Sequence, residues 1–200
     1  RILNAAEEMG YHANAAARAL KTNRSHNIGV LFVDRQRSGL AHEFFSSVLD
    51  SVRVEAEAHG YDITFIHQNA QLGHGSYLQH CLYRGVDGVV IACVDFSDPL
   101  VTELVNSSLP VVTIDHVFNG RIAVMSDNMR GMESLTRYAI ERGHRKLAFI
   151  HGEQTSVTQG RLTGFHLACE AAGLALDEEF VLEGRYHDPE TCYRLTYALM

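Results

Sequence analysis

The sequence predicts an α/β fold in which parallel strands alternate with helices. Short runs rich in Val and Ile recur from residue 27 onward. They are nearly continuous in apolar character, as are strands that are buried on both faces of a parallel sheet. Longer amphipathic stretches lie between these runs, and several end at a glycine. This repeated order of strand, helix and glycine is typical of a right-handed, doubly wound α/β fold.

The apolar runs predict the strands in chain order. Five runs are expected to form strands, at residues 28–33, 61–66, 87–93, 110–114 and 146–150. Weaker patterns at 122–125 and 180–182 predict two short additional strands. The strands beyond residue 145 are too few to close a core of their own. We therefore expect a second lobe that is incomplete at residue 200.

The helical stretches carry the apolar stripe of helices that pack on a sheet. In segment 42–58 the stripe consists of Phe45, Val48, Leu49, Val52 and Ala56. Similar patterns predict helices at 75–83, 128–140 and 161–172, and a last helix opens at Asp188-Pro189. Proline is well suited to the first position of a helix, and a glycine after the last turn ends one.

Residues 1–26 differ from the rest of the chain in their helical pattern and in their charge. A short amphipathic helix is predicted at 1–9, and Asn14 caps an Ala-rich helical segment that runs to Thr22. A helix this short is not stable alone in water, so it needs a partner. Residues 1–26 carry four basic and two acidic side chains, whereas the remaining 174 carry 13 basic and 22 acidic ones. A basic arm on an acidic body is a hint of contact with nucleic acid.

Composition and motifs argue against several function classes. No apolar run approaches the roughly 20 residues that span a bilayer. The four cysteines form no C-x-x-C pair, and we expect them to be reduced structural residues, without metal or cofactor. The chain has no G-x-S-x-G, no P-loop and no G-x-G-x-x-G after a strand. Because no nucleophile and base can be paired either, we expect no catalytic residues and no enzyme.

Several segments together resemble one protein family. The segments RILNAAEEMGY, NAAARALKT and NIGVLFVD resemble the junction between headpiece and core in LacI-type repressors, the family of the lactose and galactose repressors. The resemblance continues through HEFFSSVLDSV, GYDITFI, RGVDGVVIA, LPVVTIDH, VMSDNMRGM, ERGHRKLAFIHG and GRLTGFHLACEAAGL. These segments follow the family's order and cover nearly the whole chain. Each alone is weak, but the ordered set is specific.

The resemblance implies four parts and a function. The parts are a remnant of a helix-turn-helix headpiece (1–12), a hinge helix with its linker (13–26), the N-terminal lobe of a periplasmic-binding-protein-like core (27–145) and a partial C-terminal lobe (146–200). The rest of the headpiece would precede residue 1. The whole protein is expected to be a cytoplasmic homodimer that represses transcription from operator DNA. Its effector, a sugar or sugar derivative, would bind between the two lobes.

The resemblance assigns DNA contacts to the hinge helix. Leu20 would wedge between base steps in the minor groove, and Arg18 and Lys21 would neutralise phosphates. Asn14 would cap the helix or touch the DNA backbone. The alternative is an ordinary solvated helix with Leu20 packed on the core. One departure is Ala13, where the family usually has a proline.

The resemblance also assigns the effector pocket. Phe44 and Phe45 match an aromatic pair after the first strand, and Phe44 is the better candidate because Phe45 also fits the core stripe of its helix. Asp127 matches an acid that accepts hydrogen bonds from the ligand, and it can equally cap the helix that follows.

The remaining pocket residues precede or open the helix predicted at 161–172. Arg161 matches the family's most characteristic ligand residue, a guanidinium that suits vicinal hydroxyls or a carboxylate. Its alternative is a surface arginine at a helix start, where the helix dipole slightly disfavours a cation. Thr155 and Val157 match neighbouring positions, and relatives often have a hydroxyl residue where Val157 stands.

A periplasmic-type sugar-binding protein of the same fold is the nearest alternative function. Such a protein has no use for the segment NAAARALKTNR ahead of the first strand. That segment therefore favours the transcription regulator.

Overall fold

Helices and strands alternate along the chain in the computed structural model, which describes residues 9–10, 15–33, 43–68, 75–186 and 188–200. The helices α1 to α7 are Ala15–Thr22, Glu43–Ala58, Tyr77–Arg84, Pro99–Val105, Asn128–Glu141, Ser156–Ala171 and Pro189–Leu199. The strands β1 to β7 are Asn27–Phe32, Asp62–Ile66, Gly88–Ala92, Val111–Ile114, Ile122–Val124, Phe149–His151 and Val181–Glu183. Apart from Met9, the helix predicted at residues 1–9 lies outside the described residues.

Five of the strands form one sheet in the order β2-β1-β3-β4-β5. The pairs β1–β2, β1–β3 and β3–β4 are parallel, and β6 and β7 form a second parallel pair. The prediction of an α/β fold with parallel sheets is thereby confirmed. In this strand order the winding reverses between β1 and β3, and ligands of such folds bind outside the carboxyl ends of the strands at that point.

Three elements differ from the sequence predictions. The strand predicted at 146–150 comprises only Phe149–His151, because its partner strand β7 offers three residues for pairing. Helix α6 begins at Ser156, before the predicted start at residue 161, because the Thr155 side chain caps it there. Helix α4 was not predicted, although Asp98 caps it and Pro99 occupies its first turn.

The described residues fall into two compact units. The first contains the described residues up to 114 together with 118–122. Its core is built from the inward faces of the sheet and of helices α3 and α4, with Leu31, Ile91 and Leu104 fully buried. Burial also raises the pKa of the Cys81 thiol to about 12, so this thiol stays protonated in the folded protein. All four cysteines are free.

The second unit contains residues 115–117 and the described residues from 123 onward. Helix α6 crosses α5 closely at Gly164, where a Cβ atom would overlap the carbonyl oxygen of Met129 and lie 2.9 Å from the backbone nitrogen of Glu133. The unit thus takes in α5, which the sequence-based division assigned to the N-terminal lobe. That division into 1–12, 13–26, 27–145 and 146–200 stays a prediction.

The crossing predicts opposite effects for alanine at two glycines. Gly164→Ala should lower the free energy of unfolding by about 1–3 kcal/mol, because backbone atoms of α5 must move to admit the methyl group. Gly131 lies within α5, and a Cβ atom there would meet nothing within 4 Å. Gly131→Ala should therefore stabilise the chain by roughly 0.5–1 kcal/mol. Urea denaturation measures both, and equal effects of the two variants would refute the close crossing.

Candidate functional site

The predicted aromatic pair lies in the first unit, at the start of α2. Phe45 is half-buried, and its ring centroid lies 5.5 Å from that of Phe32 in β1. Phe44 is 46% exposed and meets the Phe45 ring edge to face at 5.1 Å. Helix α2 follows β1, the strand beside which the sheet winding reverses. Phe44 is thus the accessible member of the pair, whereas Phe45 packs against the sheet.

Arg161 lies in the second unit, within α6. Its Nε donates a hydrogen bond to the Asn128 side-chain oxygen at 3.0 Å, and its guanidinium carbon lies 5.9 Å from the centre of the Tyr186 ring. The prediction that Arg161 opens its helix is wrong, because α6 begins at Ser156. The helix dipole therefore argues neither for nor against an arginine at this position. The contacts of Arg161 with Asn128 and Tyr186 hold its guanidinium in one orientation.

Asp127 caps helix α5. Its carboxylate accepts a hydrogen bond from the Arg130 backbone N–H at 3.2 Å, and the Arg130 Nε lies 3.7 Å from the second carboxylate oxygen. The side chain is 61% exposed, so both oxygens remain accessible to other donors. The next residue, Asn128, is the partner of Arg161. The capping role weighed from the sequence is therefore present, and it brings Asp127 next to the Arg161 contact.

Thr155 and Val157 lie at the start of α6. The Thr155 hydroxyl accepts a hydrogen bond from the Thr158 backbone N–H at 3.2 Å and so caps the helix. Val157 is half-buried in the first turn. The buried Thr158 donates its hydroxyl proton to the Glu153 carbonyl at 2.7 Å. The Tyr186 hydroxyl, 2.8 Å from the Thr158 oxygen, must then be the donor in that pair.

Tyr186 is a site residue that the sequence analysis did not single out. Its ring lies against Gly152, where a Cβ atom would overlap three ring carbons. Its backbone N–H donates to a Glu153 carboxylate oxygen at 3.1 Å. Tyr186 follows β7, and aromatic or polar residues after parallel strands are frequent ligand contacts. That position was the signal available in the sequence.

Asp115 joins two loops of the second unit. Its carboxylate accepts a hydrogen bond from the Ser126 backbone N–H at 2.7 Å, and its carbonyl accepts one from the Ser156 hydroxyl at 3.0 Å. Its φ of 57° lies in the left-handed region, which aspartate tolerates better than most residues. Burial lowers the pKa of the neighbouring His116, so that imidazole is neutral at pH 7.

The predicted DNA-contacting residues lie on or beside α1. The helix is present at Ala15–Thr22, as predicted. Leu20 is 89% exposed and Lys21 is exposed as well, so the alternative with Leu20 packed on the core is wrong. Asn14 and the side chain of Arg18 lie outside the described residues.

The described part of the chain offers neither a metal-binding cluster nor a membrane-spanning helix. Among its His, Cys, Asp and Glu side chains, no group of three or more could hold a metal ion. No described helix combines the length and apolar character needed to cross a bilayer.

Sequence comparison decides the family of this fold. A family profile described as periplasmic binding proteins and sugar binding domain of LacI family matches residues 25–199. The chain belongs to this family. The match begins at the linker after α1 and runs through both units.

Individual relatives agree with this membership. The chain is 29% identical over 202 residues to the HTH-type transcriptional repressor PurR of Pectobacterium carotovorum, and 30% identical over 204 residues to the repressor of the same name from Escherichia fergusonii. Each alignment covers 98% of this chain and 58% of the relative. The chain thus spans less than three fifths of the length of these relatives. They are transcriptional regulators and not enzymes.

Solved structures share the fold. The transcriptional regulator CelR in complex with cellobiose matches with a TM-score of 0.70 at 25% identity, over 92% of this chain and 56% of that chain. A regulatory protein of LacI family from Chloroflexus aggregans matches with a TM-score of 0.69 at 24% identity. The match covers 87% of this chain and 63% of the Chloroflexus aggregans chain. The second likeness concerns the fold alone.

The contacts of Tyr186 predict a coupled pair of substitutions. Tyr186→Phe removes the hydrogen bond to Thr158 and should lower the free energy of unfolding by about 1 kcal/mol. Gly152→Ala should displace the ring, so Tyr186→Phe should cost almost nothing in that background. Urea denaturation of the two single variants and the double variant measures the coupling. An equal cost of Tyr186→Phe in both backgrounds would contradict the packing of Tyr186 on Gly152.

Proposed function

We propose that this chain is the effector-binding core and hinge of a DNA-binding transcriptional repressor whose operator affinity is set by a sugar or sugar derivative. The exposed Leu20 on α1, directly ahead of the family's sugar-binding domain, carries the proposal. A large aliphatic side chain that is 89% exposed on a helix gains most from a partner that covers it. The whole protein would act as a homodimer in the cytoplasm, where operator DNA lies.

The hinge residues have the chemistry for minor-groove contact. Leu20 can insert between base steps, at an unstacking cost of a few kcal/mol that the bent DNA returns through added contacts. Lys21 lies in the last turn of α1, one residue further along, and can neutralise a phosphate beside the wedge. Arg18 and Asn14 would add a second phosphate contact and a helix cap. Leu20 supplies the wedge and the basic residues supply most of the affinity.

Sugar recognition is supported by the contacts of Arg161. Its Nε is engaged by Asn128, which leaves the guanidinium to offer its other N–H groups in a fixed fork to two hydroxyls. The adjacent Tyr186 ring offers an apolar face, and Asp127 offers carboxylate acceptors. Thr155 and Val157 would border the ligand, and Phe44 with Phe45 would provide the aromatic contribution of the first unit. The CelR relative was solved with a bound disaccharide, cellobiose, which fits this ligand class.

Regulation would follow from population shift. An effector shifts the protein toward the arrangement of the core that it binds more tightly. The change in operator affinity that it can produce is limited by the ratio of the effector's own affinities for the two arrangements. The nearest alternative, a periplasmic-type sugar-binding protein, shares the family. It gives no role to an exposed leucine and a lysine ahead of the domain, so operator binding is the property that separates the two.

The effector site is tested by Arg161→Ala. Wild-type protein should show a raised melting temperature with at least one member of a panel of monosaccharides, disaccharides and nucleobases, because a ligand that binds only the folded state stabilises it. Arg161→Ala should weaken that ligand at least about tenfold, since hydrogen bonds to a charged group contribute roughly 1.5–3 kcal/mol each.

Arg142→Ala is the matched control for this test. It removes a guanidinium that lies 4.9 Å from the centre of the Tyr138 ring, elsewhere in the second unit. The control should retain the ligand response. A normal response in Arg161→Ala would remove the pocket assignment.

The DNA site is tested by Leu20→Ala in the full-length gene product. The substitution should weaken binding to an operator selected from random duplexes by about tenfold or more and reduce the DNA bend, because the wedge is lost. Leu167→Ala, at a partly exposed position on α6, serves as the control and should bind normally. Fluorescence anisotropy and circular-permutation gels measure affinity and bend. Unchanged affinity and bend in Leu20→Ala would eliminate the wedge.

A further inference from the structure

The linker, residues 23–26, connects α1 to β1, an interior strand of the sheet, and two of its residues have a positive φ. Asn23 has a φ of 53° and His26 a φ of 55°, and both are non-glycine residues in the left-handed region. Asn and His adopt this region more readily than most residues, and Asn23 directly follows the last residue of α1, where a left-handed residue commonly ends a helix. Beyond Asn23, hydrogen bonds to residues of the first unit hold the linker.

Asp87 makes those interactions. One carboxylate oxygen accepts hydrogen bonds from the Ser25 backbone N–H at 2.8 Å and the Ser25 hydroxyl at 2.9 Å. The other accepts from the His26 backbone N–H at 3.0 Å. Burial raises the pKa of Asp87, but these hydrogen bonds outweigh it and bring the pKa below its usual value. The group is therefore an ionised acceptor at neutral pH, and hydrogen bonds to such an acceptor are the stronger kind.

The position of Asp87 explains why it reaches the linker. It directly precedes β3, which pairs in parallel with β1 from Ile28 opposite Gly88. Its own backbone N–H donates to the Asn27 carbonyl at 2.8 Å. On the other side of β1, the Asp62 backbone N–H donates to the His26 carbonyl at 2.8 Å. The end of the linker is thus hydrogen-bonded to residues at the start of both neighbouring strands, β2 and β3. In these five hydrogen bonds Asp62 contributes only its backbone, whereas Asp87 contributes its side chain as well.

In the linker, the His26 ring packs on the Tyr61 ring, with 5.1 Å between the ring centroids. A cavity of about 480 Å³ lies against the linker, lined in part by Asn23, Arg24, Tyr61, Gly85 and Asp87. With this ring contact, the hydrogen bonds to Asp87 are therefore the side-chain contacts that hold Ser25 and His26 beside this cavity.

We propose that Asp87 is the positioning residue that clamps the linker to the first unit and so sets the point from which α1 leaves the core. Any shift of β3 relative to β1 would then move the carboxyl end of α1 directly. That α1 contacts DNA rests on the proposed function, whereas the clamp itself does not. The two can be tested separately.

Limited trypsin digestion tests the clamp on the chain itself. Trypsin cleaves after Arg24, and the amide of the Arg24–Ser25 bond is the group that Asp87 holds. Cleavage tracks the open population when opening and closing are fast. Asp87→Asn should speed cleavage at Arg24–Ser25 at least about tenfold, followed by mass spectrometry, while the melting temperature stays within a few degrees. An unchanged cleavage rate at this bond would overturn the proposal.

Asp95→Asn is the matched control. Asp95 also accepts hydrogen bonds from the backbone N–H and hydroxyl of one serine, Ser97, in the same unit but away from the linker. It should leave cleavage at Arg24–Ser25 unchanged. If Asp87→Asn does not fold, Ser25→Ala decides. It removes one of the three hydrogen bonds to Asp87, together with the one that the Asn27 backbone N–H donates to the Ser25 hydroxyl, and should speed cleavage several-fold. No change in the cleavage rate would again overturn the clamp.

Operator binding by the full-length gene product tests the positioning role. Asp87→Asn should raise the operator Kd about tenfold, equivalent to ~1.4 kcal/mol. It should change the Kd of a sugar found in the thermal screen less than twofold. Faster cleavage with unchanged operator binding would show that Asp87 holds the linker but does not position α1, which contradicts the proposal. Failure of the wild-type protein to bind any operator would refute the proposed function while the digestion still decides the clamp.

Discussion

Strand β1 pairs with β2 on one side and with β3 on the other, and the positions of the linker and of Phe44 both depend on this pairing. Ten paired positions hold β1 in register between these two neighbours. At the amino end of β1 the same register brings Asp87 to the linker, and at the carboxyl end the chain continues towards Phe44. A parallel sheet thus places a proposed DNA-contacting element and a proposed effector contact on opposite ends of one buried strand. A displacement of that strand affects both.

The second unit depends on close approach rather than on sheet pairing. Gly164 lets the backbones of α5 and α6 come near each other, and that crossing brings Asn128 to Arg161. Gly152 makes room for the Tyr186 ring, which reaches Thr158 and lies near the guanidinium. Small residues therefore determine where the charged and aromatic groups of the proposed pocket stand.

The sequence pattern predicted those helices and strands whose bounds depend on nearby residues. The strands of the large sheet fall within one or two residues of their apolar runs. Burial on both faces explains the continuous apolar runs of β1 and β3, whereas Ile122 and Val124 of the edge strand β5 are exposed. Strand β6 is shorter than predicted because its length depends on a partner some thirty residues away. Helix α4 has only seven residues, so the helical spacing of its buried Val101, Leu104 and Val105 is too short a pattern to stand out, even after the capping Asp98. The contacts of Arg161 with Asn128 and of Asp87 with Ser25 join residues 33 and 62 positions apart, which no local pattern encodes.

The central claim is that sugar binding and operator binding are coupled through this core. Reciprocity gives it a direct measurement: the Kd of the sugar for the full-length protein, determined by calorimetry with and without saturating operator DNA. Coupling requires that the operator change the sugar Kd by the same factor by which the sugar changes the operator Kd, and allosteric factors typically lie at roughly 5–150-fold. We expect the two factors to match and to lie in that range. A sugar Kd that is identical with and without operator would contradict it.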